Sequence, residues 1–386
     1  MKQLQRIHAI DGIRGFSLLG ILIANILIFQ YGMWGKDEIH YFNISQVDEW
    51  VYGFIKIMIE GSFLPIFTFL FGYSLIMMRN SLEHKKLRIK WHLFRRSLML
   101  IIFGLLHATY LWDGDILLLY GGMGIALLLF VNRKEKTILI WSITLFLLIT
   151  IMSLFDFTES TDDPLENINY EPYIETATEI YSAGTYSEIK EYRNNGEDPL
   201  IDEIGDKKLA IVFFLLPFMM APMFLLGMYA GKRQWFLELK QERKMYWKGM
   251  IIFLPAGLAL KIYGYFQHVG GAITIGGPIL ALGYIFAFGV YYSKSNRSHL
   301  LQSFENIGKL SLSNYIMQTV ICTTIFYGYG LGLFGNFGVL WGLLLGIVIF
   351  IGQMVISSFY LKYFRYGPFE KVLRMWTYLS ISNKNN

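Results

Sequence analysis

Asp11 and Arg14 stand three residues apart in Ile10-Asp-Gly-Ile-Arg-Gly15, a spacing that puts carboxylate and guanidinium on one helix face, where they pair. Asn25 follows Arg14 by eleven residues, three turns plus about 20°, so it lies on the same face about 16 Å further along the axis. Arg95 and Arg96 open a second such stretch; His107 comes eleven residues after Arg96, and Asp113 and Asp115 follow. Imidazole gains and loses a proton near neutral pH, and a carboxylate beside it orients the ring and stabilises its cation, so this set has the make-up of a general acid–base site. Each member also has a structural reading. Asp11 and Arg14 are a fixed pair, Asn25 and His107 are hydrogen-bond donors between helices, and Asp113 and Asp115 are caps for a helix starting at Ile116.

The remaining polar residues narrow the chemistry. Lys56 and Glu60 are four apart and pair on one face, and Lys261 either meets a partner or reaches the interface. His40, beside Asp37 and Glu38, is a second candidate proton carrier. His8, His84, His92 and His299 read as interfacial and His268 as a helix end; no two histidines have metal-ligand spacing and no GxxxxGK[ST] loop occurs, so no metal is expected. The single cysteine, Cys322, excludes an internal disulfide and a multi-cysteine zinc site.

These side chains need elements to hold them. The 386 residues are 54% hydrophobic, 17% aromatic and 16% charged, against roughly a quarter charged in soluble domains, which describes an integral membrane protein. A crossing helix takes about 20 apolar residues, and ten segments approach that: 10–31, 54–78, 97–112, 116–131, 137–155, 209–230, 249–268, 273–292, 307–329 and 338–360. The third and fourth are short and joined by Trp112-Asp-Gly-Asp115; a helical hairpin turning below the surface is the alternative. With the N-terminus inside, the basic loops (Arg79 to Arg96, Arg133 to Lys136, Lys232 to Lys248, Lys294 with Arg297) and the basic tail all fall in the cytoplasm, as the positive-inside rule asks. The opposite side receives residues 156–208, with fifteen Asp or Glu against Lys190, Arg193, Lys207 and Lys208. The fold class is therefore all-α, a polytopic bundle of about ten spans with both termini cytoplasmic. The first span is too long, and carries Asp11 and Arg14, to be a cleavable leader. Three regions follow: a five-span half over 1–155, the acidic loop 156–208, and a five-span half with its tail over 209–386. Ile174, Ala177, Ile180 and Tyr181 recur at helical spacing in the loop and predict short helices over the outer mouth. Nucleic acid is excluded as a partner, because the basic residues are scattered among inner loops.

Residues 10–25, Ile-Asp-Gly-Ile-Arg-Gly-Phe-Ser-Leu-Leu-Gly-Ile-Leu-Ile-Ala-Asn, resemble the opening of the YeiB family of bacterial membrane proteins, a domain of unknown function. Phe103-Gly-Leu-Leu-His107 with Leu111-Trp-Asp-Gly-Asp-Ile-Leu117, Gly308-Lys-Leu-Ser-Leu-Ser-Asn314-Tyr315 with Gln318, and Gly184-Thr-Tyr-Ser-Glu-Ile189 are similar to later segments of that family. So is the tail Gly367-Pro368-Phe-Glu370 through Arg374, where Lys371 replaces the family's usual Trp. The resemblance implies kinship with transmembrane acyltransferases, the heparan-α-glucosaminide N-acetyltransferase and acyltransferase-3 groups. Acyltransferase-3 proteins have a His eleven residues after the first-span Arg; here that position is Asn25.

The implied activity is transfer of an acyl group, acetyl foremost, from cytoplasmic acyl-CoA to a hydroxyl or amine outside. His107 is the expected base, Asp113 or Asp115 its orienter, Asn25 a donor to the thioester oxygen, and His40 the reserve. Asp11, Arg14, Arg95, Arg96, Asn314, Tyr315 and Gln318 are the expected donor-binding residues. The implied setting is the bacterial plasma membrane. The implied partners are the lipid bilayer, a small-molecule, glycan or peptide acceptor, and a second copy in a homodimer. A transporter using the same buried polar residues, and a non-catalytic scaffold or sensor, are the rivals.

Overall fold

The computed structural model describes residues 7–154, 169–196, 199–294 and 298–379, and the side chains among these except those of 200–216. Among the described residues the chain is helical, without a strand. The first half holds α1 (His8–Gly35), α2 (Gln46–Met58), α3 (Phe63–His84), α4 (Ile89–Tyr110), α5 (Leu117–Ala126) and α6 (Glu135–Leu154). The acidic loop supplies α7 (Glu171–Ala183) and α8 (Tyr186–Asn195), the short helices its periodicity predicts. Then come α9 (Pro199–Lys232), α10 (Leu239–Phe266), α11 (Gly270–Lys294), α12 (His299–Lys309), α13 (Ser311–Phe326), α14 (Val339–Tyr363) and α15 (Pro368–Tyr378).

Among the described residues, seven helical stretches are long and apolar enough to cross a membrane: α1, Gln46–His84 taken through its break, α4, α6, α10, α11 and α14. The protein is thus a multi-pass membrane protein. Three expected segments differ from unbroken spans, each for a local reason. The second is interrupted between α2 and α3, where Gly61 takes φ +68°. The ninth breaks at Leu310, and α13 restarts under an external cap described below. The fourth is only the ten residues of α5 plus a 3-10 turn at Leu127–Leu129, about 15 Å of α-helix against a hydrocarbon core of about 30 Å. The third begins eight residues earlier than its apolar run, because the basic stretch from Ile89 is already helical.

α1 is the central strut and packs against α3, α11, α12, α13 and α14. Small residues make the closest crossings, as expected where lipid gives helices no hydrophobic reason to associate. A Cβ at Gly15 would lie 2.1 Å from the Phe304 carbonyl oxygen, and one at Gly308 would lie 1.8 Å from that of Asp11. Around this crossing Leu18, Leu22, Ile26 and Phe29 of α1 share a core with Trp112, Tyr315, Phe326 and Phe350. Asp48 closes a capping box with Ser45 at the start of α2 and also accepts the Leu340 amide at 2.8 Å, tying α2 to the first turn of α14. The bundle has two ends: a tail side, where α15 packs on α4 and α13, and a loop side, where α7 packs on α1.

Candidate functional site

Gly104 makes the site possible. A Cβ there would lie 2.4 Å from the Leu118 nitrogen and 2.7 Å from Asp115 Oδ2, so only glycine lets the start of α5 close on α4 one turn before His107. Asp115 Oδ2 accepts the Leu118 amide at 2.7 Å and caps α5. Its other oxygen, Oδ1, is 3.0 Å from His107 Nδ1, a close contact without linear hydrogen-bond geometry. Nε2 of His107 lies 3.0 Å from Thr319 Oγ1 on α13. Tyr315, one turn before Thr319, packs its ring on the imidazole with centroids 5.3 Å apart and sets its hydroxyl 3.4 Å from the Ile116 amide. The His107 and Asp115 side chains are each 2% exposed. In the neutral tautomer with the proton on Nδ1, Nε2 would accept from the Thr319 hydroxyl.

Two cavities flank this group. The tail-side one, about 360 Å³, is lined by Arg14, Arg96, Lys309 and Arg374, with an apolar wall that includes Leu100 and Leu117 and the ring of Tyr315. The loop-side one, about 220 Å³, lies under α7 and α8 and includes Trp112, Asp113 and Arg193 in its wall. Tyr315 touches both the first cavity and His107, while Trp112, whose amide donates to the His107 carbonyl, borders the second. His107 and Asp115 therefore occupy the layer between the cavities. α8 is pinned over the loop-side one by the Tyr186 hydroxyl to the Tyr110 carbonyl at 2.7 Å and by Arg193 to the Leu111 carbonyl at 2.8 Å.

The tail side is built by two cross-chain fastenings. Arg14 donates to Asp11 at 3.2 Å and to Ser74 Oγ at 2.7 Å, which holds its guanidinium in the cavity wall. Glu370 accepts the Leu312 amide at 2.8 Å, the Ser313 amide at 3.1 Å and the Ser313 hydroxyl at 2.5 Å, so it is the external cap that restarts α13 after Leu310. Gly367 and Pro368 begin α15 in the order a helix start favours. Arg374, on the same helix, lies over Tyr366 and Tyr378 at 5.0 and 5.2 Å. The tail motif thus forms part of the wall, and its carboxylate, itself in the lining, is engaged in capping α13.

The structure brings His107, Asp115 and Tyr315 together, and Arg14, Arg96 and Arg374 around the tail-side cavity, with Asp11 paired to Arg14. Asp113 is in the other cavity wall, and the carboxylate in contact with the His107 ring is that of Asp115. Asn25 is half-buried on α1 and shares no hydrogen bond with His107, Asp115 or Thr319. Arg95 turns to the Trp91 ring at 5.0 Å, its carbonyl accepting Trp376 Nε1 at 3.0 Å. Asn314 and Gln318 face α14: Asn314 donates to Ser357 Oγ at 3.0 Å, and Gln318 to Gln353 at 2.8 Å. That buried ladder is packing between two helices. His40 is 67% exposed and 3.4 Å from Glu38. Sequence reasoning missed Thr319 and Lys309. Thr319 was findable, because it follows Tyr315 by four residues and so shares its face. Among the described residues, no group of three or more His, Cys, Asp or Glu is placed to hold a metal.

Residues 230–380 match the family model described as "Protein of unknown function (DUF418)". The chain is 33% identical to "Uncharacterized protein YxaH" of Bacillus subtilis, over 97% of this chain and 95% of that one. It is 27% identical to "Uncharacterized protein YeiB" of Escherichia coli, over 97% of both. To an "Uncharacterized 39.9 kDa protein in amylase 3'region" of Bacillus acidopullulyticus it is 28% identical, over 97% of this chain and 94% of that one. No solved structure matches the chain. Near-complete overlap with these relatives and the match through its C-terminal half make this chain a member of the YeiB family, whose function is unknown.

Proposed function

We propose that this protein is a membrane acyltransferase of the bacterial plasma membrane, moving an acyl group from cytoplasmic acyl-CoA to a hydroxyl or amine on the far side. The observation that carries the reading is the tail-side cavity: Arg14, Arg96, Lys309 and Arg374 line it with Glu370 and apolar residues, and Tyr315 in the same lining packs on the ring of His107, beside Asp115. Guanidinium and ammonium groups recognise phosphates, and an apolar recess suits a pantetheine arm and its acyl group. The charge asymmetry of the loops supports ten crossings with the tail side in the cytoplasm.

In this reading His107 Nε2 takes the proton of the acceptor, whose oxygen or nitrogen attacks the thioester carbonyl. The tetrahedral adduct collapses with cleavage of the C–S bond, and the proton returns from the imidazolium to the departing CoA thiolate. Asp115 stabilises the imidazolium meanwhile. Thr319 holds Nε2 until the acceptor replaces it.

Two results follow. Calorimetric titration of the detergent-solubilised protein gives binding of acetyl-CoA and CoA that Arg14→Ala and Arg96→Ala each weaken at least about tenfold, or about 1.4 kcal/mol. A folded protein that binds neither ligand removes the donor site. Thr319→Val, which deletes the hydroxyl at nearly constant shape, lowers transfer by no more than about tenfold, well short of the loss of a general base. A loss as deep as that of a His107 variant would instead make Thr319 the acyl carrier, with His107 as its base.

A second reading has one observation in its favour. Cavities on opposite sides of one buried ionisable pair are also the plan of a transporter, with His107 and Asp115 on the substrate or proton path. Flux into sealed vesicles without any acyl-CoA would select it.

A further inference from the structure

A pocket of about 440 Å³, separate from both cavities above, opens on the loop side where α1 ends, α2 breaks into α3, and α9, α10 and α11 meet. Four of its side chains neutralise one another in a closed ring. Lys36 to Asp37 is 2.6 Å, Asp37 to Lys56 2.6 Å, Lys56 to Glu60 2.5 Å and Glu60 to Lys36 2.9 Å. The fifth charged residue is different. Lys261 projects from the apolar helix α10, is 1% exposed, and reaches the Glu60 carbonyl oxygen with Nζ at 2.8 Å. A carbonyl supplies a dipole and no counter-charge; among the described residues no carboxylate lies within ion-pair distance of Nζ, and the nearby Glu60 carboxylate is held by Lys36 and Lys56. Gly61, in left-handed conformation at φ +68°, leaves the space beside Nζ open, since even a Cβ there would stand 3.7 Å away.

With Lys261 protonated, the pocket carries one surplus positive charge at a buried point. A cation kept inside a membrane bundle is costly and marks a ligand path or a counter-ion site. The remaining wall is mainly apolar and adaptable: Met219, Met220 and Met223 of α9 and Ile273 and Pro278 of α11, with Thr68, Tyr265 and Thr274 as its polar members. Met219 is 49% exposed on the flank of the bundle, so this wall continues to the surface that lipid covers. Thioether side chains follow irregular apolar shapes such as an acyl chain.

We propose that this pocket binds one anionic lipid of the surrounding bilayer, its phosphodiester against Lys261 and an acyl chain along the α9 methionines. A singly charged phosphodiester matches the surplus of one, and the wall open to lipid favours a bilayer source over a soluble anion. The proposal is independent of acyl transfer, because it uses none of the residues of that site.

The test is native mass spectrometry of the full, delipidated chain titrated with phosphatidylglycerol and with phosphatidylcholine of the same chains. Phosphatidylglycerol binds at least tenfold more tightly, Lys261→Met abolishes the preference, and Lys261→Arg keeps it. Thr274→Trp, which fills the pocket from an exposed wall position, lowers occupancy at least tenfold and tests the site even if Lys261→Met folds poorly. Equal occupancy by the two lipids, a preference surviving in Lys261→Met, or full occupancy in Thr274→Trp overturns the proposal. So does octanoate outcompeting phosphatidylglycerol, which would make the site one for a free carboxylate.

Discussion

His107→Ala abolishes acyl transfer, with a loss of about 10²–10⁴-fold, the range for removing a general base, while the variant reaches the membrane at wild-type abundance. The second half of the expectation follows from Asp115. Its Oδ2 stays engaged with the Leu118 amide after the imidazole is gone, so the start of α5 keeps its cap. His107→Gln is the finer instrument, since an amide retains a partner for Thr319 Oγ1 and lacks a titrating nitrogen. Its activity is as low as that of His107→Ala, and its thermal unfolding in detergent is close to wild type. Asp115→Asn also falls, by less than His107→Ala, because the ring survives without the charge that steadies its cation. Wild-type transfer in His107→Gln would remove His107 from the chemistry and leave it as a bond between α4 and α13.

Gly308→Val unfolds the bundle or lowers its stability by more than the roughly 1–3 kcal/mol typical of an overpacked core. The reason is that the space belongs to backbone. The first atom a Cβ at 308 would meet is the Asp11 carbonyl oxygen at 1.8 Å, and the reciprocal position at Gly15 meets that of Phe304 at 2.1 Å. No rotamer change relieves either clash; α1 and α12 must separate. Separation also pulls Arg14 off Gly308, whose carbonyl it reaches at 3.5 Å, so any folded fraction also binds CoA weakly. Thermal unfolding followed by tryptophan fluorescence, with CoA titration of what remains soluble, checks both effects. A Gly308→Val protein as stable as wild type would mean that this crossing is looser than its geometry says.

Much of this was legible in advance. Apolar run lengths give a membrane bundle, and helical spacing gives α7, the Lys56–Glu60 pair and the Asp11–Arg14 pair. Capping residues are partly legible too: Asp115 does cap α5. Hydropathy alone was blind to the breaks in the second and ninth segments, because a residue of left-handed backbone at Gly61, or a carboxylate arriving from Glu370 57 or 58 positions later, leaves the mean apolarity of a run unchanged. The site divides in the same way. His107 and Asp115 are eight residues apart, and their contact needs only the turn between α4 and α5. The choice of Asp115 over Asp113 was set by how Gly104 lets that turn fold back.

What the sequence by itself determined is the class of molecule, the helical faces and the residue types able to move a proton, because these depend on interactions within a few residues along one helix. Only the tertiary structure decided that Thr319, 212 residues from His107, stands against its Nε2. The same holds for Asn314 and Gln318, which turn to α14 while Tyr315 turns to the cavity, and for Lys261, which is buried with a carbonyl in place of a carboxylate. Those outcomes depend on which faces of distant helices pack together. Packing is fixed by glycine clearances and side-chain volumes summed over the whole bundle, and no local spacing carries that sum.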